Sequence, residues 1–442
     1  MEHVLVLSAL LPGAALMFFA ISWLLGWNPA EAVIARLTAA VYVLTSLGMI
    51  AGAGWMIARV SEALPIHLFD WAQVGEYAFP FELYFDSVSL TMLTLTSVLT
   101  GIVAAFSRTY MHREAGYLRF FLLLHLFGFG AMLAFAAGTF DVLICGWELV
   151  GLSSVLLIAF FLERRSPVEN AIRVYGIYRA TDIGLLVGVF CLHHFVKSAV
   201  LPAAGGPGLN GTAALIVGGL LLFAAMGKAA QIPFSGWLPR AMEGPTPSSA
   251  IFYGAISVHL GAYLLLRARP YFNDSPIALV VLVSVGALTA IHGVIVGRAC
   301  PDAKTSLAYA SVAQLGVIFA EIGLGWTGLA LLHIAGHSIV RTLQFLRAPS
   351  MLHEYHHIHA AAGGHLPNGD RSIAVLPAHL RYRFYWFALD RGHLDALMDR
   401  GFVRPLVKLS EAIVSLERRL VEPHGNRHAP ATAARTMEEI DA

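Results

Sequence analysis

Apolar runs about as long as a bilayer is thick recur along most of this chain, and no other feature narrows its possible folds so far. A helix needs roughly 20 apolar residues to cross the hydrocarbon core, and runs near that length follow one another from Val4 almost to Arg347. Spans are expected at about 4–26, 33–58, 85–107, 118–137, 141–162, 170–195, 212–230, 247–267, 276–298, 305–324 and 326–347. The chain therefore reads as an all-α polytopic membrane protein with about 11 transmembrane helices. A formal net charge of +1 speaks against nucleic acid as a partner. Cys145, Cys191 and Cys300 are far apart, with neither disulfide nor metal-ligand spacing,. The first run starts on Glu2 and has no small-residue cleavage pattern, which fits a retained span rather than a signal peptide,.

One position breaks the pattern. Lys228 closes an apolar run that begins at Ala213, and Gln231, Pro233, Gly236, Trp237, Pro239, Gly244, Pro245 and Pro247 follow directly. An ammonium at the bilayer centre costs about 2.5–3.5 kcal/mol on insertion scales, so such a residue faces protein or a wet cavity and has a function there. Broken helix at that depth is tolerated only where protein or water satisfies the freed N–H and C=O groups. A buried amine beside a break points to an ion or proton path.

Charge also orients the chain. Arg108, Arg113 and Arg119, then Arg164, Arg165 and Arg173, then Arg298 and Lys304 mark alternate loops, while the 60–84 segment carries Glu62, Asp70, Glu76 and Glu82. Basic loops belong in the cytoplasm, which puts the N-terminus outside and everything after Arg347 inside. Arg267 and Arg269 fall on the outer side and run against this scheme.

The polar residues inside the spans are the candidate path. Glu148 lies within Val142 to Gly151, well inside a span, and Lys228 is its expected partner. Such a pair can exchange a proton, or it can lock two helices as a static ion pair. Arg179 and Asp182, three apart on one helical face, either neutralise each other or tune Glu148 and Lys228. His259 stands in the eighth span, and His333, His337 and Arg341 recur every fourth residue along one face of the last. Histidine relays protons near neutral pH, or it is simply a hydrogen-bonded interior residue. Arg341 keeps its proton in proteins, so it can set a field or bind an anion but cannot shuttle. Lys304, next to Asp302, is a path group or, on the favoured reading, a positive-inside anchor. Glu321, near the opposite end of that span, is an exit acid or an interface residue. His353, His356, His357 and His359 match no firm zinc spacing. Neither a phosphate-cradling glycine loop nor a nucleophile motif with its base occurs, so no metal, cofactor or covalent catalysis is expected in this chain.

Beyond the conducting region, 1–347, the character changes. Residues 348–392 read as a cytoplasmic linker and 423–442 as a disordered tail. Between them, in 393–422, Leu406, Leu409, Ile413, Leu416 and Leu420 form an apolar stripe behind Pro405,. This amphipathic helix is expected to dock on a partner, lie on the membrane or pair as a coiled coil.

Several stretches together resemble a family: Phe85-Asp86-Ser87-Val88-Ser89, Gly146-Trp147-Glu148-Leu149-Val150-Gly151, Met226-Gly227-Lys228-Ala229-Ala230-Gln231-Ile232-Pro233, Trp237-Leu238-Pro239-Arg240-Ala241-Met242-Glu243-Gly244-Pro245-Thr246-Pro247 and Asp302-Ala303-Lys304-Thr305-Ser306. They look like the antiporter-like membrane subunits of respiratory complex I (NuoL-type) and of Mrp cation/proton antiporters, over about residues 80–347. The resemblance implies inverted five-helix repeats, each with a broken helix, and a hydrated axis of charged residues at mid-membrane. It implies proton-path roles for Glu148, Lys228, Arg179 and Asp182. The chain departs from the family at Tyr253, where a histidine is usual, and at Arg341, where a lysine is usual. It departs again after Leu346, where the helices carrying the second-half lysine are absent, so the repeat is partial.

The run Arg341 to Ser350 resembles a shortened branch, the membrane subunit DabB of the DAB inorganic carbon transporter. That resemblance implies ion flux, about 2.3 kcal/mol per charge per 100 mV, biasing CO2 hydration in a soluble, zinc-containing DabA-like partner. The alternative is a proton-pumping subunit of a complex I-like NADH/quinone oxidoreductase or an Mrp-type antiporter, in which a neighbouring chain completes the path. A third reading is a non-conducting scaffold. On all three the chain sits in a bacterial inner membrane.

Overall fold

The computed structural model describes residues 1–59, 63–74, 77–196, 200–201, 209–300, 303–361 and 377–421. Glu62, Glu76, Asp302, part of the expected linker and the expected tail lie outside the described residues, as do the side chains of His353, His356, His357 and His359.

Ten described helices are long and apolar enough to cross a membrane. They are α1 (Glu2–Leu24), α2 (Glu31–Arg59), α3 (Ser87–Tyr110), α4 (Tyr117–Ala136), α5 (Phe140–Ile158), α6 (Arg165–Val196), α7 (Gly211–Lys228), α11 (Pro276–Gly297), α12 (Ala303–Gly323) and α13 (Thr327–Ala361). The expected span at 247–267 is not one helix. After α8 (Trp237–Arg240) come α9 (Thr246–Ser249), a π-helical stretch at Ala250–Ala255 and α10 (His259–Phe272). α13 runs on past position 348, where the sequence suggested a linker, and continues through Pro349 to Ala361.

The fold is the expected all-α membrane architecture, and among the described residues the acidic 60–84 segment adds a hairpin to it. β1 (Ala63–Val74) and β2 (Tyr77–Asp86) pair antiparallel in a hairpin. Phe69 lies opposite Phe81 with ring centroids 5.0 Å apart, and Trp71 packs on Phe81 edge-on, the kind of cross-strand aromatic contact that stabilises a sheet.

Burial sorts the helices into an interior and a lipid-facing ring. Phe120, Phe121 and Phe127 of α4 and Trp147 of α5 are wholly buried. Leu7, Ile57, Phe190, Val280 and Leu332, on α1, α2, α6, α11 and α13, are all more than half exposed, as side chains bathed in lipid tails must be. Helix association within a bilayer relies on close packing, and glycines supply it. On α11 and α12, Gly286 and Gly316 face each other so closely that a Cβ on either would stand 2.5 Å from the other's carbonyl oxygen. Gly316→Val should therefore push α11 and α12 apart and lower stability by about 1–3 kcal/mol, read as a fall in the thermal midpoint of the detergent-solubilised chain.

Candidate functional site

Helix α7 ends at Lys228, and the chain then turns through Ala230 at φ +51°. Side chains and backbone take up the groups this break frees. Gln231 N–H donates to the Met226 carbonyl at 2.9 Å, Ile232 N–H to Thr289 Oγ1 at 3.1 Å, and the Trp237 indole to the Gly227 carbonyl at 2.9 Å. The break is thus a built structure that holds Lys228 at the end of its helix.

Lys228 is 1% exposed. Its Nζ donates to the Trp147 carbonyl at 3.1 Å and stands 4.9 Å from the Trp147 ring centre and 4.5 Å from that of Tyr178. Gly151 leaves the amine its space, since a Cβ there would sit 3.0 Å from Nζ. Among the described residues no carboxylate lies within 4 Å of Lys228, so the direct Glu148–Lys228 pair expected from sequence does not form. Arg179 has taken the glutamate. Its Nη2 donates to Glu148 Oε2 and, at 2.7 Å, to Asp182 Oδ2, a double role suited to a guanidinium's several fixed donors. The Trp147 indole donates to Asp182 Oδ1 at 2.6 Å. Trp147 therefore ties the two halves together, with its indole on the acid and its carbonyl on the amine. Glu148 and Arg179 side chains are each 33% exposed, whereas that of Asp182 is 3% exposed, so the cluster runs from an accessible carboxylate to a sealed amine. Trp147 and Tyr178 escaped the sequence reading because nothing in their apolar surroundings separates them from ordinary core aromatics.

The histidines form a second cluster. His259 Nδ1 faces the Ala255 carbonyl at 2.8 Å, which makes it the donor; Nε2 is then the acceptor toward His337 Nδ1, 2.9 Å away,. His337 Nε2 in turn accepts from Arg341 Nε at 3.4 Å. His259 and His337 thus form a string that ends on a fixed cation,. His333 turns elsewhere, with Nδ1 at 3.0 Å from Glu321 and Nε2 at 2.9 Å from Gln314 Oε1. Tyr178, whose ring stands over the Lys228 amine, also lies near Ser257, two residues before His259.

Lys304 does more than anchor. Its Nζ donates to Thr246 Oγ1 at 3.1 Å, and Thr246 shares a hydrogen bond with the Tyr110 hydroxyl at 3.2 Å, so the lysine holds the start of α9. Arg267, the residue that ran against the orientation scheme, is neutralised: Asp86 receives both of its terminal nitrogens, at 2.6 and 2.7 Å.

The C-terminal segment folds back onto the basic ends of the spans. After α14 (Ala378–Leu389), Asp395 of α15 (Leu394–Met398) pairs with Arg240 at 2.7 Å. Asp399, just beyond, receives two bonds from Arg173 of α6, at 2.7 and 2.9 Å. Gly236 permits this approach, since a Cβ there would collide with Asp395. α16 (Arg404–Val421) follows, leaving Leu409, Ile413 and Leu416 more than half exposed. Residues of the expected docking segment thus form a clasp, held to the break at Arg240 and to α6 at Arg173. Among the described residues no group of three or more His, Cys, Asp or Glu side chains is arranged to hold a metal ion.

Comparison with known proteins fits this arrangement. Residues 137–366 match the family described as NADH:quinone oxidoreductase/Mrp antiporter, TM, and residues 71–121 match the N-terminal part of complex I chain 5. The chain belongs to the NADH:quinone oxidoreductase/Mrp antiporter family. NADH-ubiquinone oxidoreductase chain 5 of Cryptococcus neoformans is 36% identical over 273 residues, 61% of this chain and 41% of that one. NADH-quinone oxidoreductase subunit L of Rhodobacter capsulatus is 33% identical over 316 residues, 67% of this chain and 44% of that one. A chain in the structure of the Mrp complex from Dietzia sp. DQ12-45-1b superposes with a TM-score of 0.67 at 25% identity, covering 76% of this chain and 37% of that one. This family member spans less than half the length of those relatives. Its matched region contains both clusters and the break, from Trp147 to Arg341.

Proposed function

We propose that this family member is a proton- or cation-conducting subunit of a multi-subunit membrane complex. Lys228 is the exchanging group, and Glu148, Arg179 and Asp182 form its access side. The observation that carries this reading is the sealed amine of Lys228, held on a carbonyl and two aromatic rings with no carboxylate against it, while an acid cluster stands one residue away across Trp147. A lysine so placed is ready to lose and regain a proton. His259 and His337 extend the path, and Arg341 ends it with a fixed positive field.

The named relatives are quinone oxidoreductase chains and an Mrp complex, and they favour the respiratory or antiporter setting over inorganic carbon uptake with a zinc-containing DabA-like partner. We therefore place the chain beside other respiratory or Mrp-type subunits in a bacterial inner membrane, with the basic ends and the clasp in the cytoplasm and α16 docked on a neighbouring subunit. In proteoliposomes carrying the purified complex, an imposed potential should drive acidification read by a trapped pH dye. Glu148→Gln should slow it by about a hundredfold, at the low end of the range for losing a proton-transfer group. Wild-type vesicles no leakier than empty ones would overturn the reading.

A further inference from the structure

We propose that the recess at Arg341 seats a carboxylate carried on a membrane-spanning helix of a neighbouring subunit. The proposal rests on the reading of this chain as one member of a complex. Arg341 is a permanent cation in a span, whereas Arg179 of the other cluster is neutralised by Glu148 and Asp182 and the buried Arg267 by Asp86. Among the described residues no carboxylate lies within 4 Å of Arg341, whose guanidinium bonds only to the neutral groups of His337 and Gln344. The guanidinium lies along the helix between His337, one turn back, and Gln344, one turn on. Its charge stays within the span.

The surroundings suit a helix rather than a dissolved ion. Arg341 lines a recess of about 300 Å³ with Gln314, His333, Gly336, His337, Val340 and Gln344. That recess opens on a lipid-facing stripe where Leu332 is 70%, Val340 52% and Leu343 51% exposed. A Cβ on Gly336 would meet nothing within 4 Å. A small residue on an apolar stripe admits the backbone of a second membrane helix, and an unmatched guanidinium beside it selects one with an Asp or Glu at that depth.

The test uses the complex purified with its native partners, carrying a photo-activatable benzophenone side chain in place of Val340. Illumination should link position 340 to a membrane-spanning peptide of another subunit that contains an acidic residue. Arg341→Gln should reduce that capture and the co-purification of the same subunit by about tenfold, the change expected for about 1.4 kcal/mol, while Arg341→Lys retains much of both. Replacing the partner's acid with arginine should restore capture in Arg341→Glu. Capture of lipid alone, or capture equal in wild type and Arg341→Gln, overturns the proposal. Ion flux is measured separately: a complex that captures its partner but conducts nothing defeats the functional reading and leaves this one standing.

Discussion

Lys228→Met should abolish ion flux while leaving the protein folded and assembled. Methionine matches the length of the lysine stem and packs against Trp147 and Tyr178 as the stem does, so the cavity around position 228 stays filled,. What disappears is the only titratable group at the end of α7, and the hydrogen bond to the Trp147 carbonyl with it. Losing a group that passes protons costs roughly a hundredfold to ten-thousandfold in rate, so vesicle acidification should fall to the background of empty liposomes. Size-exclusion chromatography of the complex should be unchanged. A variant that assembles normally and still conducts would show that Lys228 is a structural relic and would favour the scaffold reading.

The largest loss of stability should follow Asp86→Ala. Asp86 holds three things at once: its side chain caps α3 through the Ser89 N–H at 2.8 Å, its backbone N–H donates to Ser89 Oγ at 2.8 Å, and its two oxygens carry Arg267. Arg267 is 6% exposed. Removing its partner leaves a buried charge uncompensated, which costs about 3–5 kcal/mol, with the lost cap contributing about 1 kcal/mol more. Thermal unfolding in detergent should report this, and Asp86→Asn, which keeps the cap, should fall between. Burial alone would raise the Asp86 carboxyl, but Arg267 and the Ser89 bonds hold it below its ordinary value. The stabilisation is therefore complete above the unfolded carboxylate range, near pH 4, and is lost as pH falls through the lower folded value. Wild type should lose midpoint on acidification below about pH 4, and Asp86→Ala should lose less.

Most residues of the two clusters stood out in the sequence because charge inside an apolar run is rare and has few explanations. Glu148, Arg179, Asp182 and Lys228 gather in one cluster and His259, His337 and Arg341 in another, while His333 turns away to Glu321 and Gln314. Partner choice was not legible. The sequence offered Lys228 to Glu148 because both stood out, whereas in three dimensions Arg179 lies nearer and serves two acids. Asp86 and Arg267 were visible as single residues, yet their pairing across 181 positions left no local trace. The hairpin was read as an acidic loop because its alternation is diluted by the proline, aspartate and glutamate on the strands. The eighth span was read as continuous because a π-helical stretch keeps apolar composition while changing the turn,.

The clasp has a meaning for biosynthesis. Arg173 and Asp399 are 226 residues apart, and Arg240 and Asp395 are 155 apart. Chains emerge from the ribosome N-terminus first, so α6 and the break are in the membrane long before either aspartate is made. The two ion pairs can form only after α11, α12 and α13, which lie between them in sequence, have been synthesised,. The clasp can therefore close only once all ten described spanning helices have been made.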